Sequence, residues 1–204
     1  MGGTLFGAPR KITNVNCVGD CVDGILQGSI RILELPSLVM GEGSQSGKLF
    51  MAWNDGDNPQ NDALIGTYNF ADVKLVSSSD GVTWSAPVKA NTNAASNTDH
   101  FQPAVSSDKS GRVAVCFYDR RNDPNNFMID RYCANSTNGG ASFTNTRITT
   151  KSFLSVVSQD VLIAANYMGD YDTLASDTMN SMKGFRGAFA NNISGAPNVQ
   201  SNKF

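Results

Sequence analysis

Four short stretches concentrate the side chains able to hold a ligand or move a proton: "NDGDN" at 54–58, "TDHFQP" at 98–103, "DRRND" at 119–123 and "MGDYD" at 168–172. Together they supply carboxylates, two adjacent arginines, a tyrosine and the only histidine of the chain. That set suits the cleavage of a glycosidic bond, which needs a proton donor and a nucleophile or base, commonly carboxylates. Asp119, Asp170, Asp99 and Tyr171 are the catalytic candidates, and Arg120, Arg121, His100, Gln102 and Asp55 the substrate-binding ones. Guanidinium groups would grip a sugar carboxylate if the substrate carries one.

Each of these residues has a plainer reading. Asp119 with Arg120 or Arg121 can be a salt bridge closing a strand end. Asp170 and Tyr171 can hold the start of a sheet in place. His100 follows Asp99, and neighbours on an extended strand point to opposite sides, so an acid–base pair between them is disfavoured. The chemistry requires no cofactor. Asp55 and Asp57 could ligate calcium, although EF-hand spacing is absent and a solvated loop is the default.

The elements that would position these groups show in a repeat. "SSDGVTW" at 78–84 and "STNGGASF" at 136–143 share a hydroxyl, an Asp or Asn, a glycine and a terminal aromatic, and "MGGTLF" at 1–6 matches the second half of that phrase. The Asp or Asn can accept hydrogen bonds from the turn's own N–H groups, and glycine can take a positive φ. The predicted staples are Ser78, Asp80, Gly81 and Trp84, and then Ser136, Asn138, Gly140 and Phe143. Before each staple comes a Pro-led apolar strand, a Gly turn, an alternating strand ending in aromatic plus Asp, a polar loop and a third strand; after it comes a polar fourth strand. Four antiparallel strands in each unit of roughly 60–70 residues is the signature of a β-propeller blade.

With these phrases the chain resembles the Asp-box, or BNR-repeat, proteins of the sialidase-like β-propeller superfamily over nearly its whole length. "FYDRRNDP" and "MGDYDTLA" add to the similarity. The resemblance implies an all-β ring of about six four-stranded blades, of which this sequence would hold roughly three. Residues 1–29 are expected to be the outer strand of a preceding blade and its connection, 30–92 and 99–152 full blades, and 167–204 an incomplete one. "DTLASD" and "KGFRGAFAN" would be its two strands. A broken ring exposes apolar blade faces, so the isolated chain is expected either to self-associate through them or to be unstable. The resemblance also implies a tyrosine nucleophile and three arginines, the first in a Tyr/Phe-Arg-Ile-Pro strand. The corresponding strand here is "LELPSL", with Glu34 in the arginine's place and Arg31 nearby.

In a four-stranded blade the staples occupy the 3–4 turns, so the 2–3 loops and the links between blades collect on the opposite face. All four polar stretches fall there, at the expected ligand rim. The net charge of −2 lacks the basic footprint of a nucleic-acid binder. The longest apolar run, "VLIAA" at 161–165, is far short of the ~20 residues of a membrane span, and no export signal is visible.

The four cysteines form two sequence pairs, Cys17 with Cys21 and Cys116 with Cys133. The second pair flanks a predicted hairpin, where a disulfide competes with two buried thiols; zinc-knuckle spacing is absent. Oxidised pairs would place the protein outside the cytoplasm, extracellular or periplasmic, in a trimmed or truncated form. The leading expectation is a sialidase-like glycoside hydrolase acting on extracellular glycans. The rival is a propeller that binds glycans or surfaces without catalysis.

Overall fold

The computed structural model describes residues 7–21, 24–58, 68–93, 97–155, 168–169, 172–177, 184–195 and 198–204. The phrase at 1–6, the apolar run at 161–165, the expected blade start near Tyr167, and the catalytic candidates Asp170 and Tyr171 lie outside them. The described residues are all-β, with one short 3-10 turn at Gly43–Gln45 and no α-helix. No helix among them is long and apolar enough to cross a membrane.

A two-stranded hairpin, β1 (Ile25–Leu26) and β2 (Ile30–Arg31), precedes the first four-stranded sheet: β3 (Ser37–Met40), β4 (Leu49–Gly56), β5 (Ala71–Ser78) and β6 (Val88–Lys89). The second four-stranded sheet is β7 (His100–Ser107), β8 (Val113–Asp119), β9 (Asp130–Ser136) and β10 (Thr144–Arg147). Both are antiparallel meanders in sequence order, as in propeller blades. A third sheet comprises β11 (Thr173–Ser176), β12 (Phe185–Asn191) and β13 (Asn198–Lys203). β7 packs against both β3 and β11, so the first strands of successive sheets line a common axis and the molecule is an arc of a propeller.

Alternation along β4 and β5 divides their side chains between two faces. Phe50, Ala52, Val73 and Leu75 meet Val105, Val113, Val115, Phe117 and Ala134 of the second sheet in one buried cluster. The other face of the second sheet sends Phe101 and Tyr118 into a second cluster with Phe189 of the third sheet. On the far side of the first sheet, Leu38 (59% exposed) and Met40 (66% exposed) stay open to solvent. Pro103 interrupts the hydrogen-bonding pattern of β7, and the register shifts there between Phe101 and Ala104. A bulge is where a strand tolerates proline.

The two turn phrases make closely similar staples. Ser78 Oγ accepts the Gly81 N–H at 2.8 Å, and Asp80 Oδ1 accepts those of Val82 and Thr83, each at 2.7 Å. In the other phrase Ser136 Oγ accepts the Gly140 N–H at 2.9 Å, and Asn138 Oδ1 accepts the Ser142 N–H at 3.0 Å. Gly140 has φ +84°, and a Cβ there would lie 2.8 Å from Leu75 Cδ2. Phe143 packs against the cluster between the two sheets, while Trp84 is half-buried. The Thr83 and Val82 N–H groups hold the Asp80 carboxyl down to about 2.

Both cysteine pairs are bridged, Cys17 to Cys21 and Cys116 to Cys133. Cys116 and Cys133 are register partners on β8 and β9. The two disulfides fit an extracellular protein. Two elements depart from the sequence reading. Residues 7–14, within the 1–29 stretch expected to supply an outer strand and its connection, carry no strand. The last sheet gains a third strand, β13, whose polar sequence "NVQSNK" gave no apolar alternation to read; its Val199 is exposed.

Candidate functional site

The links between sheets and the 2–3 loops converge at one end of the arc, tied together by Asp99. This carboxylate, 0% exposed, sits just ahead of β7. Its Oδ2 accepts hydrogen bonds from the Tyr68 hydroxyl (2.5 Å), Asn126 Nδ2 (2.7 Å) and Arg120 (3.3 Å), and its Oδ1 accepts the Ala71 N–H (3.1 Å). The Asp99 N–H donates to Asn126 Oδ1. Asp99 therefore joins the β4–β5 loop, the β8–β9 loop and the start of β7. Arg120, also buried, stacks over Phe101.

Asp119, at the end of β8, is fully buried and held by its near neighbour: it accepts the Arg121 N–H at 2.8 Å and Arg121 Nε at 2.7 Å. Arg121 stacks on Tyr132 and donates to Asn145 Oδ1 on β10. Asp55 accepts Lys74 Nζ and the Asn16 N–H, each at 2.6 Å. No group of three or more His, Cys, Asp or Glu side chains able to hold a metal occurs among the described residues.

His100 lies buried between two carboxylates. Its Nδ1 is 3.1 Å from the Ala71 carbonyl oxygen and 3.7 Å from Asp72 Oδ1, and its Nε2 is 3.6 Å from Asp119 Oδ2 without a hydrogen bond. Burial holds its pKa below the ordinary value, against the pull of Asp119 and Asp72. The folded chain thus keeps the ring neutral. As pH falls below about 6.5, the unfolded chain takes up a proton that the folded chain refuses, so stability should decline by up to about 1.4 kcal/mol per pH unit. Because no other histidine is present, His100→Gln should flatten this slope between pH 6.5 and 5 in urea-unfolding measurements. An unchanged slope would show that His100 charges freely in the folded state.

A cavity of about 180 Å³ lies where the starts of β3 and β7 meet the segment ahead of β11. Arg31 and the segment leading into β3, Gln102 and Pro103 of β7, Asn54 of β4, and Gly169 and Asp172 ahead of β11 line it. Asn54 is 0% exposed, and neither its Oδ1 nor its Nδ2 has a hydrogen-bond partner. Gln102 Nε2 is also buried and unpartnered, on a residue whose φ of +53° is unusual for a side chain other than glycine. The Arg31 guanidinium is half-buried and has no ion pair or hydrogen bond among the described residues. Asp172 accepts Arg131 at 2.6 Å and the Tyr118 hydroxyl at 3.2 Å. Burial nevertheless pushes its carboxyl above the ordinary range, against the opposing effect of Arg131.

Of the residues singled out from sequence, Gln102 lines this cavity, while Asp99, Asp119, His100, Arg120, Arg121 and Asp55 do not. Asn54 and Asp172 were legible only as members of the rim. Arg131 and Tyr118, which hold Asp172, gave no signal, since each reads as an ordinary strand residue.

The sequence matches no family model and no curated protein. Among solved structures, an α-L-arabinanase of Penicillium chrysogenum complexed with arabinobiose aligns over 81% of this chain and 41% of its own, at 14% identity and a TM-score of 0.48. An α-L-arabinofuranosidase of Fusarium graminearum with arabinobiose aligns over 82% and 44%, at 10% identity and 0.47. An exo-β-1,3-galactanase of Phanerochaete chrysosporium with β-1,3-galactotriose aligns over 92% and 38%, at 15% identity and 0.45. This chain spans about two-fifths of the length of these proteins.

Proposed function

We propose that the axial cavity binds a sugar unit and that the chain is part of a glycoside hydrolase acting on extracellular glycans. One observation carries this reading: Arg31, Asn54 and Gln102 line one cavity, and both ends of the Asn54 amide and the Nε2 of Gln102 are buried without a hydrogen-bond partner. Buried polar groups without partners are expensive, so their retention suits a ligand that completes them. A polyhydroxyl ligand both donates and accepts, as the two ends of an amide require. Asp172, which lines the cavity and whose carboxyl burial raises above the ordinary range, would serve as proton donor. The repeated turn staples favour kinship with Asp-box propellers, and within that resemblance Tyr171 and Asp170 would supply the nucleophile and its partner.

A second reading, recognition without hydrolysis, draws support from Asp172 being the sole carboxylate lining the cavity among the described residues. A panel of sialosides and neutral glycosides separates the two. Hydrolysis is expected to fall at least about 100-fold in Asp172→Asn, the size of a lost general acid, with binding kept. Arg31→Ala should weaken binding itself. Binding without turnover on any substrate would establish the second reading, and no binding at all would overturn both.

A further inference from the structure

A separate cleft of about 450 Å³ opens between the β1–β2 turn, the β4–β5 loop and the β8–β9 loop. Phe70 and Phe127 contribute aromatic rings, and Gln27, Asn97 and Asn125 contribute amides. Phe127 is 40% exposed in an otherwise polar loop. Its position is fixed in advance. Asp123 accepts the N–H groups of Asn125, Phe127 and Met128 at 3.0, 3.0 and 2.8 Å, and Asn126, at φ +57°, is pinned to Asp99 from below. One edge of the Phe127 ring rests over Gly28, where a Cβ would stand 3.4 Å away. The Tyr68 ring meets Phe70 edge-on at 4.9 Å, and its hydroxyl accepts the Gln27 N–H at 2.9 Å. The side chains of Asn97 and Asn125 are exposed and make no hydrogen bond among the described residues.

From this arrangement we infer that the cleft is a second carbohydrate subsite, in which a neutral pyranose or furanose ring stacks on Phe127 while Gln27, Asn97 and Asn125 bond its hydroxyls. The inference rests on the reading of the axial cavity as a sugar site. An exposed aromatic on a loop held by these contacts offers contact area at little entropic cost on binding. Apolar C–H faces of a sugar suit the ring, and its rim of hydroxyls suits the amides. A charged ligand is disfavoured, since no Lys, Arg, Asp or Glu lines the cleft among the described residues. Both sites lie on the loop-bearing end of the arc, and an oligosaccharide that engages both would bind with affinity that rises with chain length.

The test is a calorimetric titration of the full chain with mono- to tetrasaccharides of glucose, galactose, xylose and arabinose. Phe127→Ala should lower tetrasaccharide affinity about tenfold more than it lowers monosaccharide affinity, a difference of about 1.4 kcal/mol. Phe127→Trp should retain the length dependence, and its emission should shift on tetrasaccharide addition relative to the parent chain. If affinity rises with length equally in Phe127→Ala and the parent, or if the emission difference stays flat at saturation, the second subsite is overturned while the axial reading stands. Failure of every saccharide to bind the parent would overturn both.

Discussion

Asp99→Ala should destabilise the fold by about 3–5 kcal/mol, the cost of leaving a buried charge without its partner. For a chain of this size that corresponds to a melting temperature lower by about 6–20 °C. Asp99 is surrounded by four donors, and the alanine removes the acceptor that all of them share. The worst placed is Arg120, 1% exposed, whose Nε already lacks a partner. The Tyr68 hydroxyl and the Asn126 amide lose the acceptor that joins their loops, so the damage should spread to the cleft under Phe127. Asp99→Asn should lose less, because one amide oxygen can still accept the Ala71 N–H. Urea unfolding followed by circular dichroism measures both. A loss below about 1 kcal/mol in the alanine variant, within the range of an ordinary surface pair, would contradict the structural role and return Asp99 to the list of groups that act on a ligand.

The strand framework was open to inspection in the sequence because its causes are local. Alternation in "LFMAWND" and "VAVCFYD" sets which face each side chain takes, and the phrases at Ser78 and Ser136 close their turns with bonds spanning two to four residues. From meander order alone, the polar loops could be placed on the end opposite those turns. What the sequence hid was how the polar groups are spent. Asp99, Asp119 and Asp55 look alike as carboxylates beside the rim, yet each is occupied, and two of them by partners as distant in sequence as Tyr68, Asn126 and Asn16. Nothing in "NDGDN" distinguishes Asn54, whose amide is idle, from Asp55, whose carboxylate is saturated. Alternation points them to opposite faces of β4, and only the neighbouring sheets decide which face holds a cavity.

Asn54→Val should stabilise the protein and weaken the ligand it was kept for. Both ends of the Asn54 amide are buried and unmatched, a condition that costs about 1–3 kcal/mol. Valine suits a strand and has a similar shape, and it would stand opposite Val73. Some overpacking offsets the gain, so the expected net is about 1–2 kcal/mol, or about 2–8 °C in melting temperature. Asn54→Ala should gain less, since it leaves a void. Loss of two hydrogen bonds to a sugar hydroxyl should cut affinity at least about tenfold. Such an exchange of stability for function is the mark of a site held open for a ligand. A stabilised variant that binds saccharide as well as the parent would mean that the amide is idle in the complex too. A destabilised one would mean that water satisfies it inside the fold, and the unspent hydrogen-bonding capacity on which the axial site rests would be gone.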